Sequence, residues 1–240
     1  PAFLLLFTMS CDALLTANPN NCVTNPGLCA ADTVCNPQTK HCDPIAPPNR
    51  FVLGQPDSGT IDNLLWGLSG PQGVLLFSDP ASPSRTKLAV ADTLNNRVLI
   101  WNKVPLSTAE LRAPDVVLGQ SGFTTTTPNT SGISAKTLNR PGSIASDGTY
   151  LIVGDQSNRR VLFWQGIPNQ SGMPADAVWG QRNFNAATLP TIASGTVAAS
   201  PWVASATTPG GPLFVTDTTF HRVLSFSAIP FQKPTQPASF

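Results

Sequence analysis

Residues 92–105 read DTLNNRVLIWNKVP, and the arrangement recurs as DQSNRRVLFWQGIP in residues 155–168 and as DTTFHRVLSFSAIP in residues 217–230. In all three copies Asp, Arg, an aromatic residue and Pro keep the same mutual spacing. The copies begin at residues 92, 155 and 217, so the period is 63 and then 62 residues. A fixed period of this kind is the signature of a repeat architecture.

Each copy is a polar turn between two short apolar runs. In the first copy, residues 87–91 (KLAVA) lead into the turn and residues 97–101 (RVLIW) lead away from it. Short runs of β-branched and aromatic residues that end at turn residues predict strands. The four residues between the runs, TLNN, predict a hairpin loop, because Asn suits turn positions.

The second run of the first copy is apolar on both faces of the predicted strand. Val98 and Ile100 fall on one face, and Leu99 and Trp101 fall on the other. A near-continuous apolar run of this kind predicts a strand that is buried on both sides. We therefore expect each sheet to be stacked between two neighbouring sheets.

The repeated Asp and Arg residues are predicted to pair across the mouth of each hairpin. An opposite-charge cross-strand pair contributes about 0.2–1 kcal/mol. Because a residue that recurs in every unit generally serves the unit, we expect these residues to be structural rather than catalytic. The predicted pairs are Asp92 with Arg97, Asp155 with Arg160, and Asp217 with Arg222.

Two further pieces repeat around each hairpin. An apolar run precedes it, at residues 73–77, 142–145 and 201–204, and a Val-Leu-Gly-Gln type element follows it, at residues 117–120 and 178–181. Each unit therefore contains four short strands, and four-stranded units in radial repetition form a β-propeller. The predicted fold is all-β: a partial β-propeller of about three four-stranded blades, with a small disulfide-rich module at the N-terminus. The predicted blades are residues 73–120, 142–181 and 201–240.

A strand followed by Asp-x-x-x-x-Arg-Val-Leu-x-aromatic resembles the NHL repeat. The Val-Leu-Gly-Gln element resembles a long-period subgroup of NHL propellers found in secreted bacterial proteins. The resemblance covers about residues 49–240. It implies a β-propeller over residues 51–240 and says little about activity. In propellers of this architecture an early strand often completes the final blade, so we expect residues 51–55 to be that clasp.

The repeat spacing also leads us to expect that the sequence is a fragment. A third Gly-Gln element would fall just beyond Phe240, which leaves three blades less one strand. Closed propellers typically have 4–8 blades, so about six are expected in the whole protein.

The first eleven residues have the character of an export signal. Residues 2–10, AFLLLFTMS, are apolar and too short to span a membrane. We interpret them as the tail of a secretory signal peptide. The small residue before Cys11 resembles a bacterial lipobox, which implies lipidation of Cys11 and export to the bacterial cell envelope through a lipid anchor. The alternative is an ordinary secretion signal in which Cys11 has no role.

Residues 12–43 form a Cys-rich segment. In an exported chain, four close cysteines imply two disulfides with three pairings, and their spacing does not suit a zinc site. The segment resembles a small EGF-like module, and that resemblance favours the pairs Cys22–Cys35 and Cys29–Cys42. Residues 44–50 are a Pro-rich linker.

Composition excludes several classes of function. Charged residues make up 11% of the chain, Lys plus Arg is 14 and Asp plus Glu is 13, so no basic field attracts nucleic acid. The chain has two His, His41 and His221, and no phosphate-binding Gly loop. The inner strands offer only Asp79 and Asp147, at their far ends, as ligands for calcium. No cofactor is predicted, calcium is a minor alternative, and a non-catalytic role is favoured.

Long polar loops at residues 56–72, 121–141 and 182–200 link the predicted blades. Loops longer than about 12–15 residues are usually functional or disordered. In a propeller they emerge on the same face as the hairpin turns, which makes that face the candidate binding surface. The alternative is that its polar residues are only solvated turn residues. The candidate residues are Asn95, Asn96, Arg140, Asn158, Arg159 and His221.

Three hypotheses for the function follow. The first is an exported, lipid-anchored NHL-type propeller that binds a protein or a carbohydrate at the cell envelope. The second is a fragment of a metal-dependent propeller hydrolase or lyase, with ligands partly in further blades. The third is a structural spacer.

Overall fold

The computed structural model describes residues 23, 29, 33–36, 38, 41–44, 53–54, 67–79, 82–106, 112–188, 201–205 and 209–231. The chain divides into two compact units, Pro1–Arg50 and Phe51–Phe240. Apart from two short 3-10 turns, every regular element in the described residues is a β-strand. None of those residues forms a helix long and apolar enough to cross a bilayer. The predicted all-β fold class is confirmed.

The first unit contains a small hairpin of strands β1 (Thr33–Cys35) and β2 (Cys42–Pro44), in which Cys35 lies opposite Cys42. Cys29 and Cys42 form a disulfide with a Cα–Cα distance of 5.4 Å, so one of the two favoured pairs is present. Cys35 is also disulfide-bonded. Cys22 and Cys11 lie outside the described residues.

The second unit contains three antiparallel sheets in the sequence of the repeats. The first two have four strands each and the third has three within the described residues, so the prediction of a partial propeller with four-stranded blades is confirmed. The strands of the first blade are β3 (Gly73–Asp79), β4 (Ser82–Asp92), β5 (Arg97–Trp101) and β6 (Val116–Leu118). Those of the second are β7 (Pro141–Ser146), β8 (Tyr150–Asp155), β9 (Arg160–Gln165) and β10 (Ala177–Trp179). Those of the third are β11 (Val203–Ser205), β12 (Leu213–Asp217) and β13 (Arg222–Phe226).

Each blade runs in chain order from its first strand to its last, as the repeat pattern predicts. In the first blade the order is β3-β4-β5-β6, and in the second the corresponding order is β7 to β10. The first strands of the three blades are neighbours, since β7 contacts both β3 and β11. Successive sheets therefore stack with their first strands side by side, which is the arrangement of propeller blades.

The sheets are held together by apolar clusters between them. Val98 and Ile100 of β5 pack with Ile144 and Leu151 of the second blade. Leu99 and Trp101 point the other way, into a separate cluster. All five residues of β5 are buried, which confirms that this strand is covered on both faces. Each fully buried Val, Leu or Ile contributes roughly 1.5–3 kcal/mol, so the inter-blade clusters dominate the stability.

The hairpin turns of all three blades end on a residue in the left-handed conformation. In the first, Asp92 pairs with Arg97 across a turn of four residues, of which the last, Asn96, is left-handed with φ +55°. Arg159 and His221 occupy the same slot with φ +53° and +49°. Left-handed φ is uncommon outside glycine and favours Asn. The repeat therefore imposes this conformation on three different side chains.

The segment proposed as a clasp is described only at Leu53 and Gly54. Leu53 packs against the face of the first blade that points away from the second. The carbonyl of Gly54 accepts a hydrogen bond of 3.1 Å from the Leu68 backbone N–H. Gly54 has φ +92°, close to the +87° of Gly119 at the end of the first blade. Gly54 therefore contacts Leu68 at the start of the first blade in the way that Gly119 contacts Leu138 at the start of the second. That residues 51–55 complete a final blade stays a prediction.

The structure explains why the Gly-Gln element of the first blade requires a glycine. At Gly119 a Cβ would lie 2.6 Å from Cδ1 of Leu138, and the left-handed φ disfavours any L side chain. The outer strand of the first blade approaches the second blade so closely at this point that only glycine fits.

Replacement of Gly119 by Ala should therefore destabilise the protein by about 1–3 kcal/mol, the range for one residue held in a disfavoured backbone conformation. Urea denaturation measures the change. Gly122→Ala is the matched control, because a Cβ there meets nothing within 4 Å and its φ lies outside the left-handed region; its effect should stay within about 0.5 kcal/mol. Equal effects of the two substitutions would contradict this account.

Candidate functional site: the hairpin turns and their covering loops

A buried carboxylate organises the first hairpin turn. Oδ2 of Asp92 accepts hydrogen bonds from Arg97 Nε at 2.7 Å and from Asn95 Nδ2 at 2.9 Å. Its Oδ1 accepts one from the Ser69 backbone N–H at 2.7 Å. Asp92 and Arg97 are both fully buried, whereas the sequence suggested only a mildly favourable cross-strand pair. The pair is therefore an interior ion pair, and both carboxylate oxygens are occupied.

The guanidinium group of each buried Arg ties loops to the hairpin. Arg97 donates from Nη2 to the Gly67 carbonyl at 2.7 Å and from Nη1 to the Phe123 carbonyl. Gly67 precedes the first strand of the blade and Phe123 follows the last, so one side chain joins both ends of the blade. Buried charges are tolerated when their hydrogen-bonding groups are satisfied in this way.

The second blade reproduces this network. Asp155 accepts hydrogen bonds from Arg160 Nε at 2.8 Å, from Asn158 Nδ2 at 2.8 Å and from the Asn139 backbone N–H at 2.8 Å. Arg160 also donates to the Thr137 carbonyl at 2.8 Å. Complete burial raises the pKa of the Asp155 carboxyl above its ordinary value, and the charge of Arg160 counters that rise. The charge of Arg160 therefore limits the rise in the pKa of Asp155 that burial causes.

The third copy of the pair is more open. Asp217 is fully buried, but the Arg222 side chain is 25% exposed and its Nη2 lies 3.1 Å from Asp217 Oδ2. The guanidinium also lies 5.2 Å from the centre of the Phe220 ring. The same ion pair thus occurs in all three blades, with one copy only partly shielded from water.

The six residues of the predicted binding face do not share one environment. Asn95 and Asn158 are buried and donate to the Asp of their own turn, and Asn158 also pairs with the side chain of Asn129. Asn96 is buried as well; its Nδ2 donates to the Thr126 carbonyl at 2.9 Å, and its Oδ1 accepts from the backbone N–H of the residue before β7 at 2.8 Å. These three amides therefore hold the turns and loops together, and the structure does not offer them to a ligand.

The other three residues of the predicted face reach solvent. Arg140 and His221 are exposed, and Arg159 is half-exposed while donating to the Ala187 carbonyl at 3.1 Å. Arg159 and His221 occupy the left-handed slot that Asn96 fills in the first blade. The scaffold therefore fixes the backbone at this slot and leaves the side chain free to differ.

Sequence reasoning missed the glutamine of the Gly-Gln element as a site residue. Nε2 of Gln120 donates to the carbonyls of Asn96 and Thr127, both at 3.0 Å. Nε2 of Gln181 makes the same pair of bonds in the second blade, to Arg159 at 3.1 Å and Thr188 at 3.0 Å. Each Gln clamps the loop after the last strand onto the hairpin turn. Its recurrence directly after Gly in the sequence was the signal that could have identified it.

Asp147, which the sequence offered as a calcium ligand, has no free carboxylate oxygen. Oδ1 accepts from the backbone N–H groups of Thr149 and Tyr150, both at 2.9 Å, and Oδ2 accepts from Gly210 N–H at 3.0 Å. This carboxylate ties the second blade to the third. Over the part of the chain that the structure describes, no three His, Cys, Asp or Glu side chains gather where they could hold a metal ion.

The described segments of the turn face carry basic residues. We define it as the hairpin turns, residues 93–96, 156–159 and 218–221, together with the covering loops, residues 121–140 and 182–188. These segments contain Lys136, Arg140, Arg159 and Arg182 and no Asp or Glu. The nearest repeated carboxylates are buried and paired with arginines. These segments are therefore basic, although the net charge of the chain is only +1 and the loop predicted to emerge on the same face at residues 56–72 contains Asp57 and Asp62.

No protein-family model matches the chain, and comparison with curated proteins gives no match. Among solved structures, the chain is similar to one from the crystal structure of an active polycomb repressive complex 2 in the basal state, with 15% identity and a TM-score of 0.31. A second is from a humanized mutant of the Chaetomium thermophilum Polycomb Repressive Complex 2 bound to the inhibitor GSK126, with 16% identity and a TM-score of 0.31. Each match covers 62% of this chain but only 25% or 26% of the other. A likeness of this degree carries no argument.

Arg160→Met should lower the free energy of unfolding by about 3–5 kcal/mol at neutral pH, because it leaves the Asp155 carboxylate buried without its counter-charge. Arg222→Met makes the same chemical change at the partly exposed pair and should cost less than half as much. Urea denaturation of both variants measures the difference.

The Arg160→Met loss should also depend on pH. Without Arg160 the pKa of Asp155 in the folded state rises further, so the folded protein binds a proton that the unfolded chain has released. Stability then falls as pH rises, by about 1.4 kcal/mol per unit between the two pKa values. The loss should be smaller at pH 5 than at pH 7. A loss that is independent of pH, or equal in the two Met variants, would refute the assignment.

Proposed function

We propose that the protein is an exported, lipid-anchored NHL-type β-propeller that binds a protein or a carbohydrate at the bacterial cell envelope. The observation that carries the proposal is that the turn face combines buried structural residues with exposed residues that differ from blade to blade. The Asp and Arg that recur in every turn are hydrogen-bonded to each other, and in the first two blades both are fully buried. The side chains that reach solvent differ between blades on a fixed backbone. A rigid scaffold that presents variable loop residues is typical of binding surfaces.

The charge of the turn face supports an acidic partner. Its four Lys and Arg residues are accompanied by no carboxylate in the same segments. Complementary charge around a binding surface speeds association and excludes partners of the wrong sign. We therefore favour an acidic envelope component, whether protein or polysaccharide.

The anchor is tested first, on the full-length gene product expressed in a bacterium. Labelling with tritiated palmitate should mark the wild-type protein and leave the Cys11→Ala variant unlabelled and in the soluble fraction. The matched control is Cys42→Ala, which removes a disulfide cysteine and should keep the label. A labelled Cys11→Ala variant would exclude the anchor at this position.

Binding is tested with the Cys11→Ala protein, so that the anchor plays no part. We use a triple variant that combines Arg140→Gly, Arg159→Asn and His221→Asn. Each new residue is the one that the first blade has at the equivalent position, which is Gly70 for Arg140 and Asn96 for the other two. Its fold should therefore be kept. Co-sedimentation with isolated bacterial envelopes should fall at least threefold, with a weaker dependence on salt.

Two treatments of the envelopes identify the partner's class. Proteinase digestion should abolish co-sedimentation if the partner is a protein, and glycosidase digestion should abolish it if the partner is a polysaccharide. Equal co-sedimentation of the wild-type and triple-variant proteins would contradict the assignment of the turn face.

A further inference from the structure

No further inference is drawn: the strongest candidate, the apolar surface patch that Phe214 and Val223 form on the face of the third blade that points away from the second, carries none, because nothing in the structure shows what covers it.

Discussion

The buried Asp–Arg pair is the constraint on which the rest of the structure depends. Withdrawing two charges from water is unfavourable unless every hydrogen-bonding group finds a partner. In the first blade, Arg97 meets that demand with carbonyls from Gly67 and Phe123. Those carbonyls lie before the first strand and after the last, so the ion pair dictates where both connections run. The apolar clusters supply the stability, whereas the ion pair fixes the path of the loops over the turn face.

That constraint also separates structure from function within each hairpin turn. The Asp, the Asn three residues later in the first two blades and the Arg are committed to the interior. The left-handed slot before the Arg is fixed only in its backbone, so it accepts Asn96, Arg159 and His221. At this slot the three blades keep one backbone conformation, whereas the side chain changes from the buried amide of Asn96 to two groups that reach solvent.

The sequence predicted the blades, their strand order and the two-sided burial of β5, because the repeat period and the continuous apolar runs can be read directly from the order of the residues. It could not predict that Asn95 and Asn158 are interior residues. An Asn in a turn has the same sequence signature whether water or a returning loop covers it. The clamp made by Gln120 was missed for a related reason: its partners lie on a turn 24 residues earlier and on a loop 7 residues later.

Comparison of one blade with the next shows which contacts the repeat preserves. Gln120 and Gln181 make the same two bonds through Nε2, so the fold demands the amide in both blades. In the first blade the loop that supplies the Thr127 carbonyl to Gln120 also supplies the Phe123 carbonyl to Arg97. The glutamine and the ion pair therefore hold the same covering loop, and the constraint that organises the hairpin turn also fixes the loop above it.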